Sequence, residues 1–223
     1  MKAPTTLKAL IPVSLLCVFN LALKAQENLE ALSVREIHVA NSMGWGFPLG
    51  RTADVLAPKY STNLGLDIGL KNPKYFLFPS LDFLAFKFDQ QIDDPQFPQR
   101  VKNANSHFYL LNLAAGRRIQ QGKLGFHAYA GPGLGMVSEP RAHLVNDQIR
   151  LKNQYAWTVS ARLGTGSHYQ WGNVRIFADV SYLYSFRNMQ GRPVHILTVY
   201  GGLRTNVTRV ADRVVEIITD QTI

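Results

Sequence analysis

Period-two alternation runs through eight segments of this chain. In Ser61–Leu70, Leu64, Leu66, Ile68 and Leu70 share one face, and Asn63, Gly65, Asp67 and Gly69 share the other. Leu124–Val137, Tyr155–Ser167 and Val174–Phe186 repeat the pattern. Val34–Trp45, Tyr75–Phe88, Ser106–Arg118 and His195–Val207 follow it with more interruptions. Side chains that alternate residue by residue belong to β-strands with two different environments on their two sides. The chain is therefore predicted to be all-β with eight strands.

The connections narrow this further. They are Gly46–Tyr60, Lys71–Lys74, Asp89–Asn105, the turn at Gln120–Gly122, Ser138–Gln154, the turn at Gln170–Asn173, and Asn188–Val194. Long and short links alternate, starting with a long one, as in a meander whose two chain ends lie on the short-turn side. Outer-membrane barrels have this asymmetry, together with an even strand number and apolar-out, polar-in alternation. Strands of ~10–13 residues can cross a bilayer at a tilt, and closure removes the edges that an open sheet would have to protect. Trp45, Tyr75, Tyr155, Trp157, Tyr169, Trp171 and Phe186 fall at or near strand ends, where interfacial girdles sit.

The beginning of the chain reads as a targeting segment. Lys2 and Lys8 precede the apolar run Ile11–Leu23, which is short for a membrane span of ~20 residues. Leu23-Lys24-Ala25 offers a cleavage site, so residues 1–25 are expected to be a signal peptide. Residues 26–32 then form a periplasmic lead, 33–207 the barrel and 208–223 a periplasmic tail. Cleavage would remove Cys17, the only cysteine, so no disulfide framework or thiolate metal site is expected. It would also remove Lys2, Lys8 and Lys24, lowering the formal net charge from +9 to +6. That modest excess suits anionic lipid and lipopolysaccharide phosphates. Without a basic cluster, nucleic acid is not an expected partner.

With the strands placed, the chain resembles the small outer-membrane β-barrels of OmpA and OmpX type. More narrowly, it is similar to the PorT-like outer membrane protein beta-barrel families of Bacteroidota. The residues that carry the likeness are Tyr109–Arg118 (YLLNLAAGRR), the tight turn, and Phe126–Gly135 (FHAYAGPGLG). The resemblance implies an exported transmembrane barrel in a Gram-negative outer membrane and says little about function. Many such barrels end on an aromatic residue, whereas this chain ends Gln221-Thr222-Ile223.

Taken strand by strand, the inward face collects Glu36, His38, Asp67, Asp82, Asn112, His127, Tyr129, Arg162, Asp179, Tyr200 and Arg204. An eight-stranded lumen is just wide enough for side chains to fill it, and buried ions must be matched. The expected polar network is Glu36, His38, Asp67, Asp82, His127, Arg162, Asp179 and Arg204. It reads either as a structural salt-bridge plug or as a gated pore or solute-binding lumen in which His38 and His127 confer pH sensitivity.

The glycine-rich run at Gly131-Pro132-Gly133-Leu134-Gly135 lacks the G-x-G-x-x-G spacing and the following helix of a dinucleotide loop. With a spacing of two, Gly131, Gly133 and Gly135 face inward and let the strand bend, while Pro132 faces lipid at a bulge or at the end of regular pairing. Ser106-His107 and Ser167-His168 are adjacent Ser–His pairs, but they sit at opposite ends of the wall. The six histidines show no ligand spacing. The expectation is a non-enzymatic barrel without catalytic residues, metal or cofactor. Its role is structural, adhesive or accessory to envelope assembly or secretion, with other envelope proteins as partners. A narrow pore or solute-binding barrel is the alternative, and a soluble periplasmic lipocalin-like binder is a third reading.

Overall fold

The computed structural model describes residues 34–92, 100–145, 148–172 and 174–208. The expected signal peptide, the lead, the tail beyond Thr208 and part of the second long connection lie outside these residues.

The strands are β1 (Val34–Pro48), β2 (Leu56–Pro58), β3 (Tyr60–Leu70), β4 (Tyr75–Phe88), β5 (Ala104–Gln121), β6 (Leu124–Val145), β7 (Gln148–Trp171), β8 (Val174–Met189) and β9 (Arg192–Asn206), with a 3-10 turn at Gly50–Asp54. Each pairs antiparallel with its neighbour. The first strand joins the last, Trp45 opposite Val199, and β4–β5 pairing closes the ring. The three-residue β2 pairs with the outer end of β4 and continues the line of β3, so the wall is an eight-stranded up-and-down barrel.

Alternation places every strand as the sequence predicts. Even-numbered residues of β1, β4, β5, β7 and β9 face the lumen, as do odd-numbered ones of β3 and β8. In β6 the odd-numbered residues up to Val137 do so. The outside is apolar: Leu111, Leu113, Leu134 and Leu163 are each more than half exposed. This band is bounded by aromatics. Trp45 and Tyr60 meet edge to face at 6.1 Å near the outer rim, with Tyr109 and Trp157 beside them around the wall. Tyr75, Phe126, Tyr169 and Trp171 ring the turn end.

The connections differ from expectation in two places. Ser138–Gln154 is not a loop. The hairpin continues unbroken, with Glu139 opposite Gln154, Arg141 opposite Lys152 and Val145 opposite Gln148. Beyond the apolar band the β7 side of the ribbon is exposed on both faces, residues 150–155 without exception. The apolar–polar period therefore disappears while the strand persists. Asn188–Val194 likewise shrinks to a turn at Gln190-Gly191, both with positive φ (50° and 70°), the geometry of a tight hairpin turn.

At Pro132, where a bulge or the end of regular pairing is expected, β5–β6 pairing lapses without a bulge. β5–β6 pairing runs to Asn112–Gly133, omits two pairs and resumes at Ala115–Ala130 in the same register. The glycines there are needed for close approach. A Cβ on Gly131 would strike Leu113 O and sit 2.5 Å from Ala114 Cα, and one on Gly135 would strike Tyr109 O.

Candidate functional site

The lumen has two storeys. The half nearer the turns holds ions, and the outer half holds hydrocarbon.

In the lower storey Asp67, fully buried on β3, accepts from two arginines. Arg118 on β5 approaches it with Nη2 at 2.5 Å and Nη1 at 3.1 Å, and Arg204 on β9 donates Nη1 at 3.1 Å. Arg204 continues to Asp179 on β8, Nη2 to Oδ2 at 3.3 Å, and His127 Nε2 lies 2.6 Å from Asp179 Oδ1. With that proton directed to Asp179, the 3.1 Å approach of Arg204 Nη2 to His127 Nε2 is a contact and not a second bond. Aromatic faces complete the surroundings: Arg118 lies 4.5 Å over Phe76 and Arg204 lies 4.3 Å over Phe177.

A second cluster centres on Asp82. Its Oδ1 accepts from Asn63 at 2.6 Å, and its Oδ2 accepts from Asn112 and Arg162, each at 2.8 Å. Arg162 Nε donates to Ser181 Oγ at 2.9 Å, and Ser181 is 2.6 Å from Thr198 Oγ1. Three buried carboxylates thus face three buried guanidiniums. Matched, hydrogen-bonded charges are the condition under which ions persist away from water.

Of the eight predicted network residues, six fall into these two clusters. Glu36 lies apart at the turn-end mouth and pairs with Arg175 at 3.2 Å. His38 is buried, 2% exposed. Sequence reasoning missed Arg118 and Arg175, although both carry the inward parity of their strands: Arg118 follows Asn112, Ala114 and Gly116, and Arg175 precedes Phe177 and Asp179.

The outer storey was not foreseen. Leu84, Phe86, Phe88, Phe108, Leu110, Leu183 and Ile196 from the wall are joined by Val55 and Leu56 from the first connection, Val101 from the second, and Ala142 from the long hairpin. Phe86 and Phe108 meet edge to face at 5.6 Å, and both are fully buried. This apolar plug occupies the outer lumen.

The Ser–His pairs do not assemble a nucleophile. Ser106 Oγ donates to Ser138 O at 2.6 Å, whereas its neighbour His107 turns to the outer face and stacks on Tyr109. His168 Nε2 lies 2.8 Å from Gln120 Oε1 near the turns. Among the described residues no three His, Cys, Asp or Glu side chains converge as a metal site.

The class that this fold defines is the eight-stranded antiparallel up-and-down β-barrel. The chain superposes on Neisserial surface protein A with a TM-score of 0.52 at 11% identity, covering 78% of this chain and 98% of that one. It also matches Ail of Yersinia pestis, solved with the heparin analogue sucrose octasulfate, at 16% identity with a TM-score of 0.44, covering 77% and 99%. The N-terminal barrel domain of Pseudomonas aeruginosa OprF matches at 14% identity and 0.41, covering 78% and 99%. At these identities the likeness is one of fold, and it is carried by the first structure alone. No protein-family model and no curated protein matches the sequence, so the narrower PorT-like resemblance rests on its sequence motif.

Proposed function

We propose that the protein is an integral outer-membrane barrel that works as a sealed, non-enzymatic scaffold and presents its outer end for adhesion or envelope assembly. The observation that carries this reading is the inversion of polarity across the wall. Large apolar side chains such as Leu113 (57%) and Leu163 (61%) face outward between aromatic girdles, while Asp67 (0%) and Arg204 (1%) are buried inside. A water-soluble lipocalin-like barrel would present the opposite arrangement.

The plugged upper lumen favours a scaffold over a pore, because an ion would have to pass both a hydrocarbon storey and a matched ionic one. The lumen network is thus a structural plug that holds the strands in register. Exposed Arg51, Lys102, Arg150 and Lys152, with half-buried Lys59, on the outer connections are suited to lipopolysaccharide phosphates.

Cell fractionation combined with a heat-shift gel tests the reading. A band in the outer-membrane fraction whose mobility changes on boiling is expected, and a soluble product would refute it. In planar bilayers the refolded protein is expected to show no stepwise conductance.

A further inference from the structure

The hairpin of β6 and β7 outgrows its neighbours. β5 pairs with β6 only as far as His107–Ser138, and β8 pairs with β7 only from Ser160–Ser185 inward. Beyond these points the ribbon is two-stranded. At about 3.3 Å per residue, β7 from Gln148 to Val159 runs ~40 Å with no strand paired to its β8 side among the described residues. Alternate residues of such a strand turn their N–H and C=O groups away from their only partner, which leaves a template for another strand.

The two edges of the ribbon are not equivalent. The β6 edge is blunted: Pro140 has no donor to offer, and Ala142 is buried in the apolar plug. The β7 edge carries no proline, and residues 150–155 are all exposed. Where β7 and β8 separate, the junction is closed by Thr158 Oγ1, which lies 3.1 Å from Val159 O and 2.7 Å from Ser185 Oγ. Just above it the parting strands open a cleft of about 70 Å³. Its floor is Phe108, Val137 and Met189, and its lip includes Gln154, Ala156 and Arg187. That is room for one aliphatic side chain.

We propose that the β7 edge from Arg150 to Trp157 is a docking site for an extended, acidic segment of another protein, added as a strand with one apolar side chain in the cleft. The charge of the edge selects the occupant. Arg150, Lys152 and Arg187 are exposed along the path of the added strand, and neither exposed cation on the β7 edge has a carboxylate facing it across the ribbon: Arg150 lies opposite His143 and Lys152 opposite Arg141. A second copy of the same edge would set these cations against one another, which antiparallel pairing disfavours. Main-chain bonds would supply affinity, and the cleft and the cations would supply selectivity. The edge and the cleft are independent of the membrane reading, which sets only the direction they face.

The test uses the full-length barrel refolded in detergent micelles and two fluorescein-labelled octapeptides, one alternating glutamate with valine and one alternating lysine with valine. The glutamate peptide is expected to bind, with anisotropy rising saturably, and the lysine peptide is not. Ala156→Phe, which fills the cleft, and the pair Arg150→Glu with Lys152→Glu are each expected to weaken binding at least tenfold while the heat-shift band is retained. Replacing residues 141–152 by a two-residue turn is expected to abolish it. The proposal is overturned by no binding, by equal binding of both peptides, by binding that survives loss of the ribbon, or by hairpin-dependent dimers in light scattering.

Discussion

Arg162 on β7 reaches across the lumen to Asp82 on β4, 2.8 Å away, joining strands that lie three positions apart around an eight-stranded wall. Side chains 80 residues apart in sequence are thus tied through the middle of the barrel. Arg162→Met would leave Asp82 buried with only the amides of Asn63 and Asn112. Breaking a buried pair in this way costs about 3–5 kcal/mol. Urea unfolding of the refolded barrel, followed by tryptophan emission, should show that loss. The double variant with Asp82→Asn should be less destabilised than Arg162→Met alone.

Gly131 separates tolerated from forbidden volume. A side chain there meets the β5 backbone, so Gly131→Val is expected to prevent closure and abolish the heat-shifted band. At Gly201, on the outer face, the nearest atom to an added Cβ is Phe177 O at 4.0 Å, so Gly201→Ala should refold like the parent. Equal behaviour of the two variants would contradict the close β5–β6 approach.

All three tryptophans of the chain point outward: Trp45 is 51% exposed, Trp157 67% and Trp171 73%. In brominated phosphatidylcholine, bromines high on the acyl chains should quench emission more than bromines near the chain ends, since girdle residues lie at the interface. Absence of lipid quenching would place the barrel outside the bilayer.

Arg150 and Lys152 stand exposed on the projecting ribbon, beyond the pairing with β8. Trypsin added to intact cells should cut there and leave two fragments that co-migrate as one unboiled barrel. Protection in intact cells, with cleavage only after lysis, would place the ribbon on the other side of the membrane.

The wall was legible in the sequence because each strand separates two environments, and that difference writes itself as a period of two. The same logic located Asp67, Asp82, Arg162, Asp179 and Arg204 inside before any coordinates. It failed where the two faces become alike. Residues 150–155 are exposed on both faces, so the ribbon read as a loop. The plug escaped for a different reason: Val55, Leu56 and Val101 come from irregular connections, where no period announces which way a side chain points. Arg118 and Arg175 were legible by parity but sat at the margins of the segments, where the alternation is counted last.

Arg204 lies on the final strand and holds two carboxylates that were made earlier in the chain, Asp67 and Asp179. Before β9 docks between β8 and β1, Asp67 has only Arg118 and Asp179 only His127. A partly assembled sheet therefore carries an excess of negative charge into the interior it is trying to form. Neutrality arrives together with the last strand, so the seam acts as a checkpoint: an incomplete barrel is electrostatically unfinished and is disfavoured from settling in lipid until both ends of the chain have met.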